Sequence, residues 1–335
     1  MGTPDGYARW VSASGIPVGY SRRVRPFPVQ VKIRVLGSAA GGGFPQWNCN
    51  CRNCASIRAG TFHGHARTQS SIAVTGSDAA ASVLVNASPD ILAQLQMTPE
   101  LQPNRAIRDS AIAAIILVDG QVDHTTGLYM LRESARPWPI WCTDSTYADL
   151  TLGNPVLGVL AHFCGVDRRR IELDRDFTVD SVENIKWRAL PVASKPAPYS
   201  PHRESPISGD NLALVITDEI TGRSAVYAPG LAAIDDRLWD AMQHASCVLV
   251  DGTFWTDDEM IVLGVSRKRA RDIGHLPQSG ARGMLEWLGR LPAQTRKILI
   301  HINNTNPILD ESSAEAATLR EREVEVARDG MEIVL

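Results

Sequence analysis

Apolar residues return at every second position in Val31, Ile33 and Val35, with Lys32 and Arg34 between them. That period of two marks a strand with one buried face. Short apolar runs bounded by turn residues predict further strands at 72–74, 83–85, 112–118, 185–192, 212–217, 224–227, 247–250 and 297–301. Between several of them the period changes. Ile234, Leu238, Trp239 and Met242 recur at helical spacing, as do Met284, Leu285, Leu288 and Leu291. Strands cluster first, then alternate with helices, then cluster again, which predicts a layered α/β domain with sheet inside and helices outside.

Two stretches break the pattern. Residues 1–29 mix Gly, Pro, Ser and Arg without a period and read as a poorly ordered extension, leaving 30–335 as a single domain. Residues 191–206 form a Pro-rich irregular segment. Such a segment is either a linker or a long ordered loop of the kind that lines sites. The small-residue loop Gly37-Ser38-Ala39-Ala40-Gly41-Gly42-Gly43 ends without the Gly-Lys-Ser/Thr of a phosphate loop, and Gln46 stands where a dinucleotide fingerprint needs its third glycine. Its glycines are read instead as letting the backbone pass close to a metal loop or ligand.

Composition narrows the function classes. The chain has 335 residues, is 44% hydrophobic and 21% charged, and carries a formal net charge of −3. That balance offers no electrostatic footprint for nucleic acid. No window reaches the roughly 18 to 20 apolar residues of a membrane span. No apolar stretch follows Arg22, Arg23 and Arg25 as in a secretory leader, so a cytoplasmic protein is expected.

Three of the six cysteines, Cys49, Cys51 and Cys54, fall within six positions. Thiolates this dense suit one structural zinc ion, here in a Cys-rich loop at 49–54. The fourth ligand is left open among His63, His65, Asn304 and a distant histidine. Polar groups also gather at strand tips. The run 115–118 delivers Asp119, Asp123 and His124; the strand at 297–301 delivers His301 and an Asn-rich turn whose amides could fix its ring; the strand at 247–250 delivers Asp251; and Gly274-His275-Leu276-Pro277 supplies another imidazole. Side chains at the C-terminal ends of strands sit where α/β sites are commonly built. The alternatives are ordinary: a helix N-cap with His124 solvated, a satisfied core His301, and turns at Asp251 and His275.

Taken together, several segments resemble the pyrroloquinoline quinone (PQQ) biosynthesis protein B family of the metallo-β-lactamase superfamily. They are Gly41-Gly42-Gly43-Phe44-Pro45-Gln46-Trp47-Asn48-Cys49-Asn50-Cys51, Arg67-Thr68-Gln69-Ser70-Ser71, Ala197-Pro198-Tyr199-Ser200-Pro201-His202-Arg203, Asp251-Gly252-Thr253-Phe254-Trp255 and His301-Ile302-Asn303-Asn304-Thr305-Asn306-Pro307. The resemblance starts near residue 31 and excludes the extension. It implies an αββα sandwich, two mixed sheets flanked by helices. Where the superfamily reads His-x-His-x-Asp-His, this chain reads Asp119-x-Gln121-x-Asp123-His124. One metal site of a two-zinc hydrolase is thereby degraded. Asp123, His124 and His301 match the ligands of the other. Two histidines and one carboxylate are the set that non-heme Fe(II) oxygenases use.

The resemblance therefore implies an Fe(II)-dependent hydroxylase acting on the tyrosine ring of a Glu–Tyr dipeptide or related PQQ precursor. A carrier that helps PQQ or its precursor toward the periplasm is the alternative; the missing histidines speak against a hydrolase. Asp251, His275 and His202 are its candidate catalytic residues, and Arg203, Ser200 and Asp119 its candidate substrate contacts. A homo-oligomer is expected, with no membrane insertion.

Overall fold

The computed structural model describes residues 30–77 and 81–335; the extension at 1–29 lies outside the described residues. In chain order the strands are β1 (Lys32–Gly37), β2 (Ser71–Thr75), β3 (Ser82–Val85), β4 (Ile112–Ile116), β5 (Trp138–Cys142), β6 (Val166–Arg170), β7 (Asp176–Phe177), β8 (Ile185–Pro191), β9 (Leu212–Asp218), β10 (Ser224–Ala228), β11 (Cys247–Asp251), β12 (Arg296–Ile300), β13 (Val324–Val326) and β14 (Glu332–Val334). They form two seven-stranded sheets, ordered β14-β1-β2-β3-β4-β5-β6 and β13-β12-β11-β10-β9-β8-β7. Both are mixed. Pairing is antiparallel from β14 to β3 and parallel from β3 to β6. The second sheet repeats this plan, antiparallel from β7 to β10 and parallel from β10 to β13.

The alternation of side chains along each strand builds three apolar layers. Ile33, Val35, Ile72, Val74, Val83 and Val85 face Trp187, Leu214, Ile216, Tyr227, Leu249 and Ile298 across the gap between the sheets. Residues one position away point outward. Leu84, Ile115 and Ile140 meet Ile91, Leu128, Leu150 and Leu160 on one side. Val226, Val248, Val250 and Leu299 meet Leu238, Met242, Met284 and Leu288 on the other. The result is the expected αββα sandwich. Each fully buried aliphatic side chain contributes roughly 1.5 to 3 kcal/mol, so the three layers together dominate the stability.

The strands missing from the periodicity reading have identifiable reasons. β5 runs Trp138-Pro139-Ile140-Trp141-Cys142, and its buried positions alternate with half-buried ones. β6 runs Val166-Asp167-Arg168-Arg169-Arg170, half-buried or exposed throughout, at the edge of its sheet. Charged side chains on an edge strand deter pairing with another chain and also hide the strand from a hydrophobic count. β7, β13 and β14 have only two or three residues each.

At one end of the sandwich the small-residue loop after β1 stitches the sheets together. Ala39 N–H donates to Thr68 O at 2.9 Å, Ala40 N–H to Ile302 O at 2.9 Å, and Ile302 N–H to Ser38 O at 2.9 Å. The parallel strands β4, β11 and β12 all end at this side, and their tips carry the polar residues singled out above.

Candidate metal centre

Asp123 and His124 sit on the short helix Val122–Thr125 that follows β4. His301 follows β12, and Asp251 closes β11. Asp251 pairs in register with Ile300, so the two strand tips end side by side. The loop between β8 and β9 brings Arg203 to the same cleft, and the turn at 274–277 brings His275. The cleft encloses about 260 Å³.

The ligating atoms of Asp123, His124 and His301 lie within 4.8 Å of one another. Asp123 Oδ2 is 3.3 Å from His301 Nε2 and 3.9 Å from His124 Nε2. His124 is buried, which removes the solvated-cap reading of its helix, and its Nε2 has no hydrogen-bond partner. A buried imidazole nitrogen without a partner is costly unless something fills the place. A metal ion among these three donors fits that orphan.

The opposite ring nitrogens are all anchored. His124 Nδ1 lies 2.8 and 2.9 Å from the two oxygens of Asp119. His275 Nδ1 donates to Asp251 Oδ2 at 2.7 Å. His301 Nδ1 faces Thr253 Oγ1 at 3.0 Å, and the Thr253 hydroxyl donates to Asp251 Oδ1 at 2.6 Å. Nδ1 anchoring turns each Nε2 outward, as in carboxylate–histidine–metal triads. Asp251, His275 and His301 also cluster within 4.8 Å. The bond between Asp251 and His275 already satisfies that group, so Asp251 serves to orient the ring.

Burial opposes charge in this cluster, and the opposite charges outweigh it. His124 and His301 hold the Asp123 carboxyl well below the usual carboxylate range. Asp119 and Asp123 push His124 up to about 9. Asp251 lies low and His275 high for the same mutual reason. His301 itself takes a left-handed backbone, φ +62°. Such a conformation is uncommon for a residue with a Cβ and clusters at functional sites. Gly41 explains the small-residue loop: a Cβ there would stand 3.2 Å from Asp123 Oδ2.

Several sequence-based roles change. Asp119 lines the cleft, with its carboxylate set against His124 Nδ1 and one oxygen also accepting from the Gln121 N–H. Asp251 is fully buried and reaches the cleft only through His275 and Thr253. Ser200 and His202 do not line the cleft. Ser200 Oγ accepts from His202 N–H at 3.2 Å, and His202 Nδ1 lies 3.0 Å from Asp210 Oδ1. The Asn-rich turn does not hold the His301 ring either. Asn306 Nδ2 donates to Gly252 O at 3.0 Å, and Asn304 turns to the cysteines. Thr253 holds the ring, a residue the sequence reading passed over because a hydroxyl after a strand is an ordinary turn signal.

The second donor group is the cysteine loop. Sγ atoms of Cys49, Cys51 and Cys54 lie within 4.8 Å of one another. Cys51 precedes the helix Arg52–Arg58, and Cys54 is buried within it. Asn304 Nδ2 lies 3.3 Å from Cys54 Sγ and 3.6 Å from Cys51 Sγ. Among the described residues no histidine or carboxylate joins the trio, and of the fourth-ligand candidates Asn304 is the one against the sulfurs, its amide N–H facing them as a hydrogen-bond donor. Burial pushes the Cys51 thiol up to about 11, a cost that a metal cation would remove by holding the thiolate. Cys142 and Cys247 are buried strand residues, each pushed up to about 12 by burial. They behave as small apolar groups.

Among the described residues no helix is long and apolar enough to cross a membrane. Residues 81–302 match the beta-lactamase superfamily domain. The coenzyme PQQ synthesis protein B of Azoarcus sp. is 60% identical over 305 residues, which cover 91% of this chain and all of that protein. That of Methylobacillus flagellatus is 54% identical, covering 90% of this chain and 99% of its own. The crystal structure of Zn(2+)-bound PqqB from Methylobacterium extorquens superposes with a TM-score of 0.83 at 36% identity, covering 91% of this chain and all of that one. By sequence, by fold and by the extent of both matches, the chain belongs to the coenzyme PQQ synthesis protein B family of the beta-lactamase superfamily.

Proposed function

We propose that the chain is a non-heme Fe(II)-dependent hydroxylase of PQQ biosynthesis, acting on the tyrosine ring of a Glu–Tyr precursor. The observation that carries the reading is the buried, partnerless His124 Nε2 beside Asp123 and His301. Two imidazoles and one carboxylate lining a cleft are the kind of donor set that non-heme iron oxygenases use. Iron held there supplies the redox chemistry with dioxygen that ring hydroxylation requires.

The residues of the chain do the rest. Asp119 and Thr253 fix the His124 and His301 rings. Phe254, Met260 and Pro198 give the cleft an apolar wall suited to an aromatic ring. His275, steadied by Asp251, presents Nε2 for exchanging a proton with a ring hydroxyl. Arg203 on the cleft wall pairs with a substrate carboxylate. The three thiolates of the cysteine loop, with Asn304 beside them, hold a structural zinc. Six cysteines without a disulfide support work in the reducing cytoplasm.

The test is mass spectrometry of Glu–Tyr incubated with Fe(II)-loaded protein, a reductant and isotopically labelled dioxygen. Labelled oxygen in the ring, absent with His301→Ala, is the expected result. No incorporation with iron bound would sink the hydroxylase reading and direct the next assay to PQQ binding by a carrier.

A further inference from the structure

The loop between β8 and β9 places two basic residues, Lys195 and Arg203, on the cleft wall. Only Arg203 was singled out from the sequence. The loop is pinned where Lys195 leaves it. Ser194 Oγ donates to Gly274 O at 2.8 Å, Gln121 Nε2 donates to Lys195 O at 3.0 Å, and Ala232 N–H donates to Ala193 O at 2.6 Å. Gly274 has φ +91°, and a Cβ there would stand 2.5 Å from Lys195 N, so the two backbones are in direct contact. Further along, Tyr199 donates its hydroxyl to Gly120 O, and Arg203 Nη1 donates to Pro196 O. The loop is thus tied to the turn that carries Asp123 and to the turn that carries His275.

The charges on this pinned loop are not matched. Lys195 is half-buried, and its ammonium has no hydrogen-bond or ion-pair partner among the described residues. Arg203 is half-buried too, and only the Pro196 carbonyl takes one of its donors. The cleft's own carboxylates, Asp119 and Asp123, are engaged by His124 and His301. Two partly desolvated cations held on a fixed backbone without counter-charges are arranged for anions from outside. A volume of about 260 Å³ admits a small molecule rather than a folded partner.

We propose that Lys195 and Arg203 form a two-point clamp that selects ligands carrying two carboxylates. The inference deepens the reading of this cleft as the substrate site, on which it rests. It assigns Lys195 a specificity role alongside Arg203.

The probes are linear dicarboxylates from succinate to pimelate and their monoamides, titrated calorimetrically into the metal-bound full chain. In the unchanged protein at least one dicarboxylate should bind about tenfold or more tightly than its monoamide. Lys195→Gln and Arg203→Gln should each bring that ratio to within about twofold, with metal content unchanged. Lys195→Arg should keep most of it, which separates charge from fold. No preference in the unchanged protein overturns the clamp. So does a preference surviving both Gln variants, which would place the second carboxylate on the metal. Collapse in one variant alone overturns its two-point form. The hydroxylase assay distinguishes the two readings. If Glu–Tyr is not turned over but the dicarboxylate preference holds, the hydroxylase reading falls and the clamp stands; the reverse removes the clamp alone.

Discussion

The hydroxyl of Thr253 stands 3.0 Å from Nδ1 of His301 and 2.9 Å from the carbonyl oxygen of the same residue. One short side chain from the tip of β11 therefore steadies both the ring and the left-handed backbone of a residue at the tip of β12. Removing the hydroxyl should act on metal affinity before it acts on the fold. Thr253→Val is expected to lower metal affinity at the Asp123, His124 and His301 centre by about 10- to 100-fold, with Thr253→Ser close to the unchanged protein. Equal metal affinity in Val and Ser variants would show that Thr253 does not orient His301.

Asp123→Ala and His301→Ala should each abolish iron binding at the centre while a metal in the cysteine loop remains. The two donor sets share no ligand, and the three apolar layers do not depend on either residue. Elemental analysis of the purified variants, beside their circular dichroism, checks both halves. Full iron occupancy in both variants would refute the ligand assignment.

Cys54 is buried in its helix with Asn304 against its sulfur. Cys54→Ala should remove one equivalent of metal and lower Tm by about 5 °C or more. The expected order is loss of the loop's metal with iron retained. Tm and zinc content unchanged from the parent would remove the structural role.

Glu259 is buried, with Oε2 accepting from Trp255 N–H at 2.7 Å and Oε1 from Thr305 Oγ at 2.5 Å. Burial pushes its carboxyl up to about 7, against a reference of 4.5. A raised folded-state value means the native protein holds this proton more firmly than the unfolded chain. The contribution is full below about pH 4.5 and is lost as pH rises through about 7, on the order of 1 to 3 kcal/mol. Urea denaturation across that range should show a fall in stability that Glu259→Gln flattens. Parallel pH curves for the two proteins would rule the proton out.

Most of the central strands were legible because they are short apolar runs bounded by turn residues; that the two sheets stack as an αββα sandwich was implied by the family resemblance rather than by the runs. The helix around Leu238 and Met242 was legible in the 3.6-residue period. The candidate ligands were legible as residue types: the three cysteines and the pair Asp123 and His124 stand out as donors at short spacing, and His301 joined them through the resemblance. Charged or very short edge strands such as β6 and β14 were not legible, because edges pair through backbone groups, which no side-chain pattern records.

Tertiary structure decided which donors meet and which way they face. His301 is 178 residues from Asp123, and only the register of β11 beside β12 and the loop of Ser38–Ala40 between the sheets set them 3.3 Å apart. The same geometry set Asp119 against the His124 ring and Asp251 against the His275 ring, left His202 with Asp210, and placed Thr253 and Lys195 on the cleft wall. Sequence spacing fixes what a side chain can do chemically; hydrogen bonds and burial, which depend on neighbours far along the chain, fix what it is free to do.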